Sequence, residues 1–176
     1  LETYHPPRRA RSAVWRILHE VLSPADSSKR TDLSGMLSFL NRTLKRSSVV
    51  FILSDFLATG YERELSALGR RHDVTAVTVS DPADIALPQV GIVALRHPET
   101  GEEILVDSSD PAFAKSYRES SHDYHIQLQR LFARCGVGHL ELKTDEPFII
   151  PLRRFFDARR SQSHAVRPRR IISGAR

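Results

Sequence analysis

The chain has 176 residues, 40% apolar and 27% charged, which suits a single domain of ordinary size with a real core. No apolar run nears the roughly 18 residues needed to cross a bilayer, and no stretch has the layout of a signal peptide. The net charge of +5 is uneven: six of the 26 basic residues lie from Ala158 to Arg176 without an acid among them, leaving 20 basic against 21 acidic elsewhere. The body of the chain therefore offers no basic face for nucleic acid.

Cys135 is the only cysteine, which excludes an internal disulfide and a multi-cysteine zinc site and suits a reducing, cytoplasmic setting. It reads as a small buried apolar residue beside a turn. Leu1 in place of Met predicts a fragment or a processed product.

In chain order, Pro6 and Pro7 predict an extended start. Ser12 then caps a helix whose Val14, Ile17, Leu18, Val21 and Leu22 form an apolar stripe, with Trp15 beside them, up to Pro24. Thr31 or Asp32 caps a second helix, roughly 32–45, with Leu33, Met36, Leu37, Leu40 and Leu44 inward. Ser47 to Leu53 is continuously apolar from Val49, the pattern of a strand buried on both faces. A short helix over 61–71 turns Leu65 and Leu68 inward, and His72 at its end suits the helix dipole. A second strand, Val74–Val79, is rich in β-branched residues and also ends on a carboxylate, Asp81.

Ile92–Arg96 and Glu103–Val106 flank "HPETGE", a hairpin signal. The longest helix runs over 111–134 from a cap among Ser108, Ser109 and Asp110, with Phe113, Tyr117, Tyr124, Leu128, Leu131 and Phe132 as core positions. "HLELKT" alternates as a short strand, and a last helix covers 147–160. Residues 161–176 have no periodicity and read as a flexible basic tail after a domain spanning 1–160. Strands alternating with helices predict an α/β fold, a mostly parallel sheet with helices on both faces.

Ligands of such sheets bind beyond the carboxyl ends of the strands. Asp55 and Asp81 sit there, and Thr31 begins the helix before the Asp55 strand. A threonine hydroxyl with carboxylates is a hard oxygen set suited to Mg²⁺. The structural alternative is that Thr31 and Asp32 cap their helix, while Asp55 and Asp81 accept loop N–H groups. Ser54 and Asp55 are adjacent, so strand alternation sends their side chains to opposite faces and they make no catalytic pair. His122 and His125 share a helix face but leave a metal site incomplete. No phosphate loop and no GxSxG elbow is present.

The ordered set "YHPPRR", "RTDLSGML", "SSVVFILSDFL", "RRHDVTAVTVSDPADIALPQVG", "HPETGE" and "RRFFDARR" resembles the bacterial family called domain of unknown function 58, whose members look like von Willebrand factor A domains. The resemblance implies a Rossmann-type sheet with a metal-ion-dependent adhesion site at its upper edge. Thr31 matches the threonine of that site's second loop and Asp55 the aspartate of its third. Asp32, Ser54 and Asp81 would lie around it. The first loop, Asp-x-Ser-x-Ser, does not occur here; "DSS" at 26 and at 107 lacks the spacing. The family's first strands, including the central one, are thus expected to be missing, with Val49–Leu53 left as an unpaired edge and Mg²⁺ held weakly.

The resemblance further implies a non-catalytic protein-binding adaptor that works with a MoxR-type AAA ATPase in complex assembly. An alternative is a metal-dependent phosphoryl hydrolase using Asp55 and Asp81, although no nucleophile, base and oxyanion donor converge in the sequence. A further alternative is an anionic partner, nucleic acid or an acidic membrane surface, bound through Arg167, Arg169 and Arg170 of the tail.

Overall fold

A computed structural model describes residues 3–5, 11–23, 32–96 and 101–165, the last five as backbone only. Strands β1 (Val49–Leu53), β2 (Asp73–Ser80) and β5 (Gly138–Lys143) form a parallel sheet in the order β1-β2-β5. Helices α2 (Leu33–Thr43), α3 (Glu62–Arg71) and α5 (Pro111–Cys135) pack beneath it, and α6 (Ile149–Ala165) lies on the other face. This is the expected α/β architecture. Strands β3 (Ile92–Arg96) and β4 (Glu103–Asp107) form a separate antiparallel hairpin, reached through the four-residue helix α4 (Pro82–Ile85).

Strand β2 is the centre because its sequence suits both neighbours. Val74 and Ala76 face the helices beneath, while Thr75 and Val77 face α6, and all four are buried. The lower core joins Leu37, Ile52, Phe56, Leu65, Leu68 and Phe132. Arg71 seals α2 by donating from its guanidinium to the carbonyls of Asn41 (2.9 Å) and Leu44 (3.2 Å), orphan acceptors at a helix end. His72 ends α3 with its ring buried and neither ring nitrogen hydrogen-bonded within the structure, so it is an interior residue and not an exposed partner of the dipole.

Four expectations are corrected. Strand β1 is not buried on both faces: Val50 and Ile52 face the core, but Val49, Phe51 and Leu53 are exposed. It pairs with β2 on one side and, among the described residues, with nothing on the other. A continuous apolar run marks a strand suited to cover on both faces, but it does not supply the second cover.

Likewise, α1 (Arg11–Leu22) buries none of its stripe; Val14, Trp15, Ile17, Leu18, Val21 and Leu22 are all exposed. Residues 3–5 fasten it instead, with Thr3 and His5 on Glu20 and the Tyr4 ring against Phe39 of α2. Ser12 lies inside α1 among the described residues and is not its cap. Fourth, Phe113, Tyr117 and Tyr124 of α5 are only half-buried, because the first half of that long helix runs past the core formed by Leu128, Leu131 and Phe132.

Helix α6 is seated by one polar anchor and two rings. The Arg159 guanidinium meets the Asp73 carboxylate and the Thr75 hydroxyl, and it stacks over the Phe155 ring. Phe156 contacts Phe51 of β1, with ring centroids 5.8 Å apart.

Where α3 crosses the end of α5, a Cβ added to Gly69 would fall 2.2 Å from the Cys135 carbonyl oxygen. Alanine has the better helix propensity by about 1 kcal/mol, but backbone overlap in a packed core costs about 1–3 kcal/mol. Gly69→Ala is therefore expected to lower the urea midpoint. An unchanged or raised midpoint would show that the two helices separate without cost.

Candidate functional site

The loop after β1 is built on an inverted residue. Phe56 has φ +58°, the left-handed region, yet it is 1% exposed. For a bulky residue that conformation is strained by about 1–3 kcal/mol. Burial of the ring, which is worth about 1.5–3 kcal/mol, offsets it. The ring meets Phe132 edge-on at 4.9 Å and lies 5.9 Å from Tyr61.

The backbone is held around this plug. Tyr124 of α5 donates to the Asp55 carbonyl at 2.9 Å, and Tyr61 donates to the Phe56 carbonyl at 3.4 Å. Burial, and then the negative charge of Asp55, push the Tyr124 phenol up to about 12. Burial first, with Tyr124 second, raises Tyr61. Both phenols therefore stay protonated donors at neutral pH.

The Asp55 side chain stands exposed above the plug. Its Oδ1 accepts from the Leu57 amide at 3.2 Å and from the Ser54 hydroxyl at 3.4 Å. Ser54 Oγ in turn accepts from the Phe56 amide at 3.0 Å. Strand alternation was expected to separate Ser54 from Asp55; it does not, because the strand ends at Leu53 and both residues belong to the turn.

Asp81 is differently engaged. It caps α4 through the Ala83 amide (2.9 Å), and its other oxygen accepts from Thr144 (2.7 Å) beyond β5. The Ala83 bond, then the Thr144 bond, hold its carboxyl below the usual range. Asp84 completes a capping box by accepting from the Asp81 amide at 2.8 Å. Asp32 caps α2 by accepting from Gly35 at 2.7 Å, and any Cβ on Gly35 would collide with that carboxylate.

The structural alternative thus describes Asp32 and Asp81 as caps and Asp55 as the acceptor of a loop amide, although the Asp55 carboxylate also stays exposed. The link between α2 and β1 is short, and Arg71 pins the end of α2 at the amino end of the sheet. Helix α2 therefore starts towards the carboxyl end, where Asp55 and Asp81 lie. Thr31, Arg167, Arg169 and Arg170 lie outside the described residues.

The sequence reading missed Phe56, which no propensity places in a left-handed turn. It also missed a polar ladder between β2 and β5. Thr78 Oγ1 lies 2.9 Å from His139 Nε2, and Ser80 donates to Glu141 at 3.2 Å. The His139 ring packs on Phe132 at 5.0 Å. Among the described residues, no three His, Cys, Asp or Glu side chains gather as metal ligands. Cys135 is buried and its thiol is pushed up by that burial.

A family model described as "Protein of unknown function DUF58" matches residues 1–126. The chain belongs to this family. Among curated relatives, "Uncharacterized protein Rv1480" of Mycobacterium tuberculosis and "Uncharacterized protein Mb1516" of Mycobacterium bovis are each 32% identical over 158 residues, 88% of this chain. The chain spans 50% of the length of each. "Uncharacterized protein MAV169" of Mycobacterium avium is 33% identical over 141 residues, 78% of this chain and 82% of the relative. No solved structure matches this DUF58 chain.

His139 supplies a pH test. Burial lowers its pKa, with Glu141 opposing and His125 assisting. The unfolded chain therefore binds the proton more readily, and stability falls as pH drops below the unfolded value near 6.5. His139→Gln removes that dependence. In urea titrations the stability difference between wild type and this variant is expected to shrink from pH 7.5 to pH 5.5. A constant difference would mean that His139 titrates alike in both states.

Proposed function

We propose that the chain is a non-catalytic protein-binding module of the von Willebrand A kind, an adaptor that presents a remnant divalent-cation site at its Asp55 rim. The observation that supports this most is the Asp55 loop. Its carboxylate is exposed at the carboxyl end of a strand, on a turn fixed from below by Phe56 and from the side by Tyr124.

Asp55 and the Thr31 hydroxyl are the side chains that would hold the ion. One exposed carboxylate with hydroxyl neighbours fits a mostly hydrated Mg²⁺, because such ions keep several waters and accept one or two carboxylates. When bound, Mg²⁺ supplies an open position for a carboxylate of a partner. Ser54 orients the Asp55 carboxyl, and Asp81 and Asp32 stiffen the neighbouring turns as caps. The partner in this reading is a MoxR-type AAA ATPase engaged in complex assembly. A cytoplasmic setting goes with it, in keeping with a single buried, free Cys135.

The hydrolase alternative needs Asp55 and Asp81 to act together, and the engagement of both Asp81 oxygens favours the adaptor.

The test is a Mg²⁺ titration of the whole chain followed by amide NMR, together with a pull-down of a MoxR-type ATPase in Mg²⁺ and in EDTA. Saturable shifts at residues 54–57 with Kd on the order of 1 mM are expected. Asp55→Asn should abolish both the shifts and the Mg²⁺-dependent capture, while Asp123→Asn on the exposed side of α5 changes neither. Capture that ignores both EDTA and Asp55→Asn would end the cation-mediated reading.

A further inference from the structure

The polar pairs between β2 and β5 lie under the sheet, on the face that α5 covers. Strand alternation sets Thr78 and Ser80 on the side of Val74 and Ala76, and their bonds to His139 and Glu141 put those two residues there as well. From below, α5 brings His125, Leu128 and Phe132 to the same gap at helical spacing. His139, His125 and Glu141 are each half-buried, so protons from solvent reach them.

Each imidazole backs one prop of the Asp55 turn. The His139 ring packs on Phe132 with centroids 5.0 Å apart, and Phe132 meets Phe56 at 4.9 Å. His125 meets the Tyr124 ring at 6.2 Å, and the Tyr124 hydroxyl holds the Asp55 carbonyl at 2.9 Å. The turn itself is closely balanced. Phe56 keeps its left-handed backbone only while its ring stays buried against Phe132 and Tyr61. A turn held in this way has two arrangements, ring seated or ring released, and whatever weakens the seat favours the second.

A proton on His139 weakens the seat. Burial holds the His139 pKa below its ordinary value; Glu141 of β5 opposes this, and positive charge on His125 of α5 adds to it. Strand β2 faces the ring with the hydroxyls of Thr78 and Ser80. The seated arrangement therefore binds the proton less readily than one in which the ring meets water, so falling pH drives the turn towards release. The imidazolium leaves Phe132 for solvent and for Glu141, two residues along on the same face, and Phe132 then gives Phe56 room to withdraw.

We propose that His139, with His125 opposite, is a proton switch for the Asp55 turn, which is seated at neutral pH and released in mild acid. As regulation of a docking rim it rests on the adaptor reading above. The coupling from His139 to residues 54–57 needs neither cation nor partner, so it is tested in EDTA, and a failed Mg²⁺ titration would leave it standing.

Histidine side-chain and backbone amide resonances of the whole chain are followed by NMR from about pH 8 to about pH 5. The amides of residues 54–57 are expected to change along one curve with the His139 imidazole, at a midpoint below about 6.5. Corrected for its intrinsic rate, exchange at the Phe56 and Leu57 amides should be about tenfold faster at pH 5.5 than at pH 7.5. His139→Gln should remove both effects. Two charge variants should move the midpoint in opposite senses: His125→Gln raises it and Glu141→Gln lowers it, each carrying the His139 and turn curves together.

Urea midpoints at pH 7.5 separate a lost switch from a lost fold in each variant, and the wild-type curves decide the matter without any of them. Turn amides that stay flat over this range would overturn the proposal, as would a turn midpoint that stays put while the His139 midpoint moves. So would the same inflection at Val93 and Val106 of the β3–β4 hairpin, which would mark a response of the whole molecule.

Discussion

Phe56 occupies the core with its backbone turned through the left-handed region, and much of the carboxyl end of the sheet is arranged around that fact. Its ring fills the space between β1 and α5 that Phe132 and Tyr61 line. With the ring fixed, the chain must reverse at Ser54 and Asp55, and both tyrosines find carbonyls to bond. Conformational strain and burial are of similar size here, so the turn persists because neither a straightened loop nor a withdrawn ring is cheaper.

The amino end of the sheet is organised differently, by charge in place of a plug. Arg71 and Arg159 each bring a planar guanidinium to backbone or side-chain oxygens at an element's end. Arg71 ties α2 to α3 beneath the sheet, and Arg159 ties α6 above it. Apolar packing therefore runs the length of the sheet's lower face, and arginines add polar ties between the layers at the amino end.

The sequence disclosed the layout where local and global demands agree. The branched run of β2 is covered on both faces, as its composition requires. Leu65 and Leu68 face inward as their spacing predicts, and Asp110 with Pro111 starts α5. It failed where a pattern states only a capacity. The run Val49–Leu53 and the stripe of α1 are apolar enough to be covered, but nothing in them says whether cover is present. Asp81 was ambiguous for a related reason: a strand-end carboxylate looks the same whether it caps or binds, and only Thr144, 63 residues away, decides it. Phe56 was illegible because its conformation opposes its own propensity and is set by distant rings.

The seat of α6 carries one more consequence. Its ties to the sheet are a guanidinium pair at a half-open edge and a few aromatic contacts, whereas α3 and α5 are bound through a continuous apolar layer. Ion pairs near solvent weaken in salt, while apolar layers do not. The molecule is thus divided into a part that ionic strength loosens and a part that it leaves intact. Lifting α6 alone would uncover Thr75, Val77 and Leu140 while α2, α3 and α5 stay in place, a sub-global opening whose free energy lies well below that of complete unfolding.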